Sequence, residues 1–245
     1  GKPIRWIDPF PPGGGTDVLA RAVAPRLTEA IGNAIVVDNR PGAAGNIAVS
    51  TVAKSTPDGY TIGTISATHS IYPSINPNLP YDILKDVTPI VQLSSQPYLL
   101  VANSGFAPTN VSQLIALAKA KPGQVNYGSA GVGGLSHLAG ALFEILAKIE
   151  MSHVPYKGAP PALVDLLSGQ IQILFSSPLA GQSHVKSGRL KAFGVTSTAR
   201  MRSMPEVPTI AESGLPGFDV TGWYGVVAPA KVPPNVVAKL NAAIA

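Results

Sequence analysis

The feature that most restricts the fold is a strand–glycine loop–helix unit that occurs twice, as IDPFPPGGGTDVLARAV from Ile7 and as VNYGSAGVGGLSHLAGALF from Val125. Glycine is used where the backbone needs φ > 0 or where something must approach it closely. A glycine loop between a strand and a helix belongs to open α/β architecture, in which ligands sit beyond the carboxyl ends of the strands, at helix N-termini. Two such units in one chain predict two α/β sheets.

The order of elements around them follows from periodicity and punctuation. PIRWID reads as a strand, then the first glycine loop, then a helix from about Thr16 to Ala30. In that helix Leu19, Val23, Leu27 and Ile31 recur at helical spacing and Gly32 ends the run. AIVVDN is a strand, RPGAAGN a loop into a helix, and GYTIGTIS a third strand entered through the turn TPDG. This β-α-β-α-β order implies parallel strands. Ile71 to Lys85 reads as irregular, and VTPIVQLSSQPYLLVANS as two more strands. A second α/β series then runs from VSQLIALAKA to RLKAFGVTS. FDVTGWYGVVAPA is extended, and PPNVVAKLNAAIA starts a helix. The joints fall near residues 100 and 220, giving a discontinuous lobe of residues 1–100 plus 222–245 and a lobe of residues 101–221. A chain that crosses twice is expected to enclose a ligand cleft between hinged lobes; one continuous large sheet would give similar local signals.

The helix N-terminus after each loop has unpaired N–H groups and a partial positive charge, so the expected visitor is an anion. Thr16 or Asp17 is expected to cap the first helix. A phosphate loop would need GxxxxGK[ST], and no lysine follows either glycine run. GSAGVG is not the GxGxxG fingerprint, and no acidic residue closes the next strand to meet a ribose. A carboxylate is the leading expectation, with a nucleotide-dependent regulator as a weaker alternative. Hydroxyls at strand ends (Ser66, Thr68, Ser129, Ser176, Ser177) are candidate partners.

Composition removes other classes. The chain of 245 residues is 45% hydrophobic and 13% charged, which suits a well-buried globular protein. Its 18 basic and 13 acidic residues give a net charge of +5, but the basic residues are dispersed, which argues against nucleic acid. There is no cysteine, hence no disulfide or thiolate metal site. No apolar run reaches the roughly 18–20 residues that span a bilayer.

Four segments carry a resemblance: PFPPGGGTDVLARAVAPRLTEAIGNAIVVDNRPGAAGNIA, YGSAGVGGLSHLAGALFE, VPYKGAPPALVDLLSGQIQILF and PTIAESGLPGFDVTGWYGVVAPA. Together they resemble the Bug family, the TctC-like extracytoplasmic solute receptors of tripartite tricarboxylate transporters, over essentially the whole chain. The resemblance implies a type II periplasmic binding protein, a two-lobed Venus flytrap in which each lobe is a mixed, mostly parallel sheet flanked by helices. It also implies a monomer that binds a small di- or tricarboxylate or aromatic acid, without cofactor or metal, and delivers it to two membrane subunits. The expected location is the periplasm, the signal peptide having been removed from this chain. Relatives run on beyond LNAAIA, where the last helix stops without a cap.

Carried over by motif, the implied ligand-binding residues are Phe10, Gly13, Gly14, Gly15, Thr16 and Asp17 in the first loop. Ser66, Ala67 and Thr68 belong to TISATH. In the second lobe they are Ser129, Ala130, Gly131, Val132, Gly133, Gly134 and His137, with Ser176. Two departures bear on specificity. Many members place Thr where this chain has Gly134, and members that bind amino acids place Asp where Ser176 stands. The second departure favours a ligand without an ammonium group.

Catalysis is not expected. The four histidines His69, His137, His153 and His184 lack metal-ligand spacing, and there is no GxSxG elbow. The histidines are therefore read as hydrogen-bonded structural residues. His137 beside the second loop is the exception, and an enzyme acting on a carboxylated metabolite through it is the alternative. Arg40 is read as a structural ion pair before a carboxylate clamp, and Lys157 is weighed the same way. Trp223 and Tyr224 belong to either the return hinge or the core.

Overall fold

A computed structural model describes all residues, 1–245, and contains ten strands and eight helices. The chain forms two compact units, Gly1–Ser95 with Trp223–Ala245, and Gln96–Gly222.

The first unit is built on β1 (Ile4–Asp8), β2 (Ile35–Asn39), β3 (Thr61–Ser66), β4 (Val87–Pro97) and β10 (Thr221–Pro229), in the order β2-β1-β3-β10-β4. β1 pairs in parallel with both β2 and β3, and β10 pairs antiparallel with β3. A Cβ built at Gly225 would lie 3.2 Å from Val91 O, and one at Gly222 3.5 Å from Gln96 O, so β4 runs antiparallel to β10. Four of the five strands therefore share one direction. The helices are α1 (Gly15–Ile31), α2 (Asn46–Ala53) after a 3-10 turn at Ala43–Gly45, α3 (Ala67–Ile75) and α8 (Pro234–Ile244).

The second unit repeats the plan. β5 (Leu99–Asn103), β6 (Asn126–Ser129), β7 (Ser152–Pro155), β8 (Ile173–Ser176) and β9 (Leu190–Val195) lie in the order β7-β6-β8-β5-β9. β6 is parallel to β7 and β8, while β5 is antiparallel to both β8 and β9. Again four strands run one way. The helices are α4 (Val111–Ala120), α5 (Leu135–Ala147), α6 (Ala159–Ser168) and α7 (Pro178–Lys186).

Strand alternation divides the core of each unit between the two sheet faces. In β1, Trp6 joins the apolar cluster with Leu27, Ile62 and Leu240, whereas Ile7 joins Val49, Val52, Tyr81 and Val87. In β5, Leu100 and Ala102 pack with Phe143, Phe175 and Phe218, while Leu99 and Val101 pack with Leu163, Leu166 and Met204. Both sheets are thus covered on both faces, as parallel sheets require.

Helix α3 is a difference from the sequence reading, which left Ile71 onward irregular. Pro73 sits inside this helix. What starts the helix is Ser66, with His69 three residues on reaching back to the Ser66 N–H at 2.9 Å through Nδ1. Imidazole here does the work of the glutamate in an ordinary capping box, so the usual S-x-x-E signal was absent.

Candidate ligand-binding site

In the first unit α1, α2 and α3 follow the carboxyl ends of β1, β2 and β3; in the second, α5, α6 and α7 follow β6, β7 and β8. Each sheet therefore carries three helix N-termini along one edge, a local field that favours anions.

The two glycine loops have the same backbone geometry. Gly13 has φ +82 and Gly133 φ +76. The next residue caps the helix in extended conformation, Gly14 at φ −72, ψ 163 and Gly134 at φ −70, ψ 158. Gly14 N–H donates to Pro11 O at 3.2 Å, and Gly134 N–H to Gly131 O at 3.1 Å. The third residue of each helix reaches back: Gly13 N–H donates to Asp17 Oδ2 at 2.9 Å, and Gly133 N–H to His137 Nδ1 at 3.1 Å. One local solution to the strand–helix turn is used in both units, with an aspartate in one and a histidine in the other.

This corrects one expectation. The cap of α1 is Gly14, not Thr16 or Asp17, and it makes no side-chain cap hydrogen bond. Thr16 turns its hydroxyl back onto Asp8 Oδ1 at 2.9 Å. The N–H groups of Gly13, Gly14, Gly131, Gly133 and Gly134 have acceptors inside their own loops. The first intrahelical bond of α1 is Val18 N–H to Gly14 O at 3.0 Å, so the amides of Gly15, Thr16 and Asp17 have no intrahelical acceptor. The glycines shape the loop; the helix's first turn holds the donors.

Asp8 underlies the first loop. Its Oδ1 accepts Phe10 N–H at 3.1 Å as well as the Thr16 hydroxyl, while Oδ2 is buried without a partner. Burial pushes its carboxyl up to about 6 against those bonds. Asp17 accepts Arg21 Nε at 2.9 Å and Asn39 Nδ2 at 3.0 Å on Oδ1. Burial works to raise this carboxyl, but Arg21, Gly13 and Asn39 together hold it below the usual carboxylate range. Asn39 Nδ2 also donates to Phe10 O at 2.8 Å, tying β2 to the loop. On the neighbouring strand end Ser66, Ala67 and Thr68 are buried. His69 is fully buried with its Nε2 edge against Gly45; a Cβ on Gly45 would come within 2.7 Å of that nitrogen. Burial drives the His69 imidazole down to about 4.

In the second unit Ser129 ends β6 as Asp8 ends β1. Its Oγ accepts Gly131 N–H at 3.2 Å and lies 2.6 Å from His153 Nε2. Ser136 Oγ accepts Ala130 N–H at 2.9 Å. His137 stacks on His153 at 4.1 Å between ring centroids, and His153 on Tyr127 at 4.9 Å. Val132 is exposed at the loop tip, and Ser176 is buried at the end of β8, which neighbours β6. Ser177 caps α7 with its hydroxyl buried and unpartnered.

Other candidates settle elsewhere. Arg40 Nε bonds both oxygens of Asp38 at 3.1 Å, the structural pair expected of it. Lys157 is exposed. Trp223 lines a cavity of about 940 Å³ in the first unit with Ile65, Pro73, Tyr81 and Leu84, away from the glycine loop. Asp8, Asn39, Ser136 and His153 were not singled out as site residues from sequence. Asp8 alone had a local signal, as the acidic residue closing the strand before the glycines.

A family model described as the tripartite tricarboxylate transporter family receptor, TctC, matches residues 19–245. The chain belongs to the TctC family. Among curated relatives, Protein BugT of Bordetella pertussis is 38% identical over 98% of this chain and 74% of its own length, placing this TctC receptor in the Bug group. Two solved structures share the fold closely. Rpa4515 of R. palustris with adipate has a TM-score of 0.97 at 35% identity, covering 100% of this chain and 82% of that one. MatC of Rhodopseudomonas palustris with bound malate has a TM-score of 0.94 at 33% identity, covering 99% and 83%. TctC proteins are solute-binding receptors, and no helix of this one is long and apolar enough to cross a membrane.

Proposed function

We propose that this TctC receptor captures a small dicarboxylate in the periplasm and delivers it to the membrane subunits of a tripartite tricarboxylate transporter. One glycine loop from each unit engages the ligand: Phe10 with Gly13–Asp17, and Ser129–Gly134 with His137. Ser66, Ala67, Thr68 and Ser176 supply the flanking contacts. The observation that carries this reading is the repeated loop geometry, which sets the first turn of a helix, the positive end of its dipole, at the carboxyl edge of each sheet. Two such turns suit an anion with two negative ends. The adipate and malate held by the two neighbours are both dicarboxylates, which supports that class. Ser176 offers no charge to an ammonium group, which favours a ligand without one.

Thermal shift against mono-, di- and tricarboxylates, benzoates, acidic amino acids and ATP tests the class. A ligand at 100 times its dissociation constant adds about 2.7 kcal/mol of stability, a readily measured shift. Dicarboxylates are expected to raise the melting temperature, and ATP to leave it unchanged; the reverse would sink the reading. Gly14→Val tests the loop. Gly14 has an extended backbone that valine adopts freely, so the variant is expected to fold with dicarboxylate binding lost. Retained affinity would remove the first loop from the site.

A further inference from the structure

We propose that His137 is a positioning residue, an acid-releasable lock on the second glycine loop, and that Asp17 is its acid-resistant counterpart in the first. The inference rests on the reading of these loops as the ligand site, but the lock itself is a property of the second unit alone.

Both side chains stand at the third helical position and accept the N–H of a left-handed glycine four residues earlier. That single bond fixes the orientation of the peptide preceding the helix, and with it the direction of the first-turn amides. The two acceptors differ in what acid does to them. A carboxylate offers two oxygens, and Asp17 has Arg21 and Asn39 holding its second one. An imidazole accepts through Nδ1 only while that nitrogen is unprotonated. Once His137 takes up a proton, Nδ1–H faces Gly133 N–H, two donors meet, and the bond becomes a repulsion.

The surroundings set when this happens. Burial holds His137 below the usual histidine range, so the lock is engaged at neutral pH. The titratable groups facing it are His153 on β7 and Tyr127 on β6, and Glu144 on α5 itself interacts with Tyr127. Burial and the charge on His137 push His153 down to about 4, because two stacked imidazoles resist carrying two protons. No carboxylate contacts the pair to steady a second. Acidification therefore unlocks the second loop while the first, with Asp17 held below the usual carboxylate range, remains locked.

The test is amide exchange on the 15N-labelled full chain, wild type beside His137→Asn and His137→Ala. Asparagine presents a non-titrating oxygen near the place of Nδ1. Gly133 is expected to be protected at pH 7.5 in wild type and His137→Asn and at least tenfold less protected in His137→Ala, on the loss of its acceptor. In wild type the protection factor is expected to fall with the titration of His137, below pH 6.5, and to stay flat in His137→Asn. Equal protection in all three proteins, or protection in wild type that ignores that titration, overturns the proposal; should His137→Ala fail to fold, the other two proteins decide it. The same three proteins titrated with adipate separate the two readings. If adipate binds, wild-type affinity is expected to drop more steeply in acid than that of His137→Asn, and identical profiles count against the lock. If no dicarboxylate binds, the receptor reading fails while Gly133 exchange still decides the lock.

Discussion

Asp8 and His69 are buried titratable groups whose effects on stability have opposite signs. Asp8 moves up, from 3.8 to about 6, because burial disfavours its charge. The folded protein holds that proton more tightly than the unfolded chain, so this group favours folding as pH falls from 6 towards 3.8 and penalises it by up to about 3 kcal/mol above 6. His69 moves down, from 6.5 to about 4, for the same reason. Its contribution is whole above 6.5 and is lost as pH falls from 6.5 to 4, again by up to about 3 kcal/mol. The two windows overlap, so their slopes offset each other between pH 6 and 4. Urea unfolding of Asp8→Asn is expected to expose the histidine's acid lability, with stability falling across that interval. His69→Asn, which keeps an acceptor for Ser66 N–H, is expected to show the reverse slope. Variants with the same pH profile as wild type would mean that neither group is shifted. Neither environment could be read from the sequence: Asp8 looked like a strand end, and His69 gave no hint that it would cap a helix.

Element boundaries followed the apolar periodicity and the Gly and Pro punctuation closely, because local pattern and packing agree almost everywhere. The exception, α3, contains Pro73 and runs into INPNLP, where local signals oppose a helix. Its start is secured by His69 and its fit against the fold, which are tertiary facts. The glycine loops divide in the same way. Their positions at strand–helix junctions were plain in the sequence. The use made of each amide was not, since it depends on Gly13 and Gly133 both adopting positive φ and on the third helical residue reaching back. A different glycine shows how tightly one of these helices is seated. Gly140 lies on α5 where a Cβ would overlap the Tyr127 ring, and that ring is 2% exposed beneath His153. Gly140→Ala is expected to cost about 1–3 kcal/mol by overpacking. Urea denaturation checks the cost, and an unchanged midpoint would show that α5 slides without penalty.

The chain passes between its two units at residues 95/96 and 222/223. Each sheet has one strand running against the other four: β5, which follows the first crossing, in the second unit, and β10, which carries the second crossing, in the first. The two passages are not equivalent for folding. The second unit is continuous and contains all its strands, so residues 96–222 alone have a complete sheet with cores on both faces. The first unit lacks a strand until the chain returns, because β10 lies between β3 and β4. Residues 1–95 alone would leave β4 with no partner and the Trp6 cluster without Val226, Ala228 and Leu240. Expressed separately, residues 96–222 are expected to give a cooperative thermal transition and residues 1–95 none. Joining Ser95 to Trp223 by a short flexible linker should restore cooperativity, since β4 and β10 are antiparallel neighbours and those ends lie together. Cooperative melting of residues 1–95 alone would refute the dependence on the returning strand. Failure of the linked form would show that the first unit needs the second to fold, and not merely the strand that follows it.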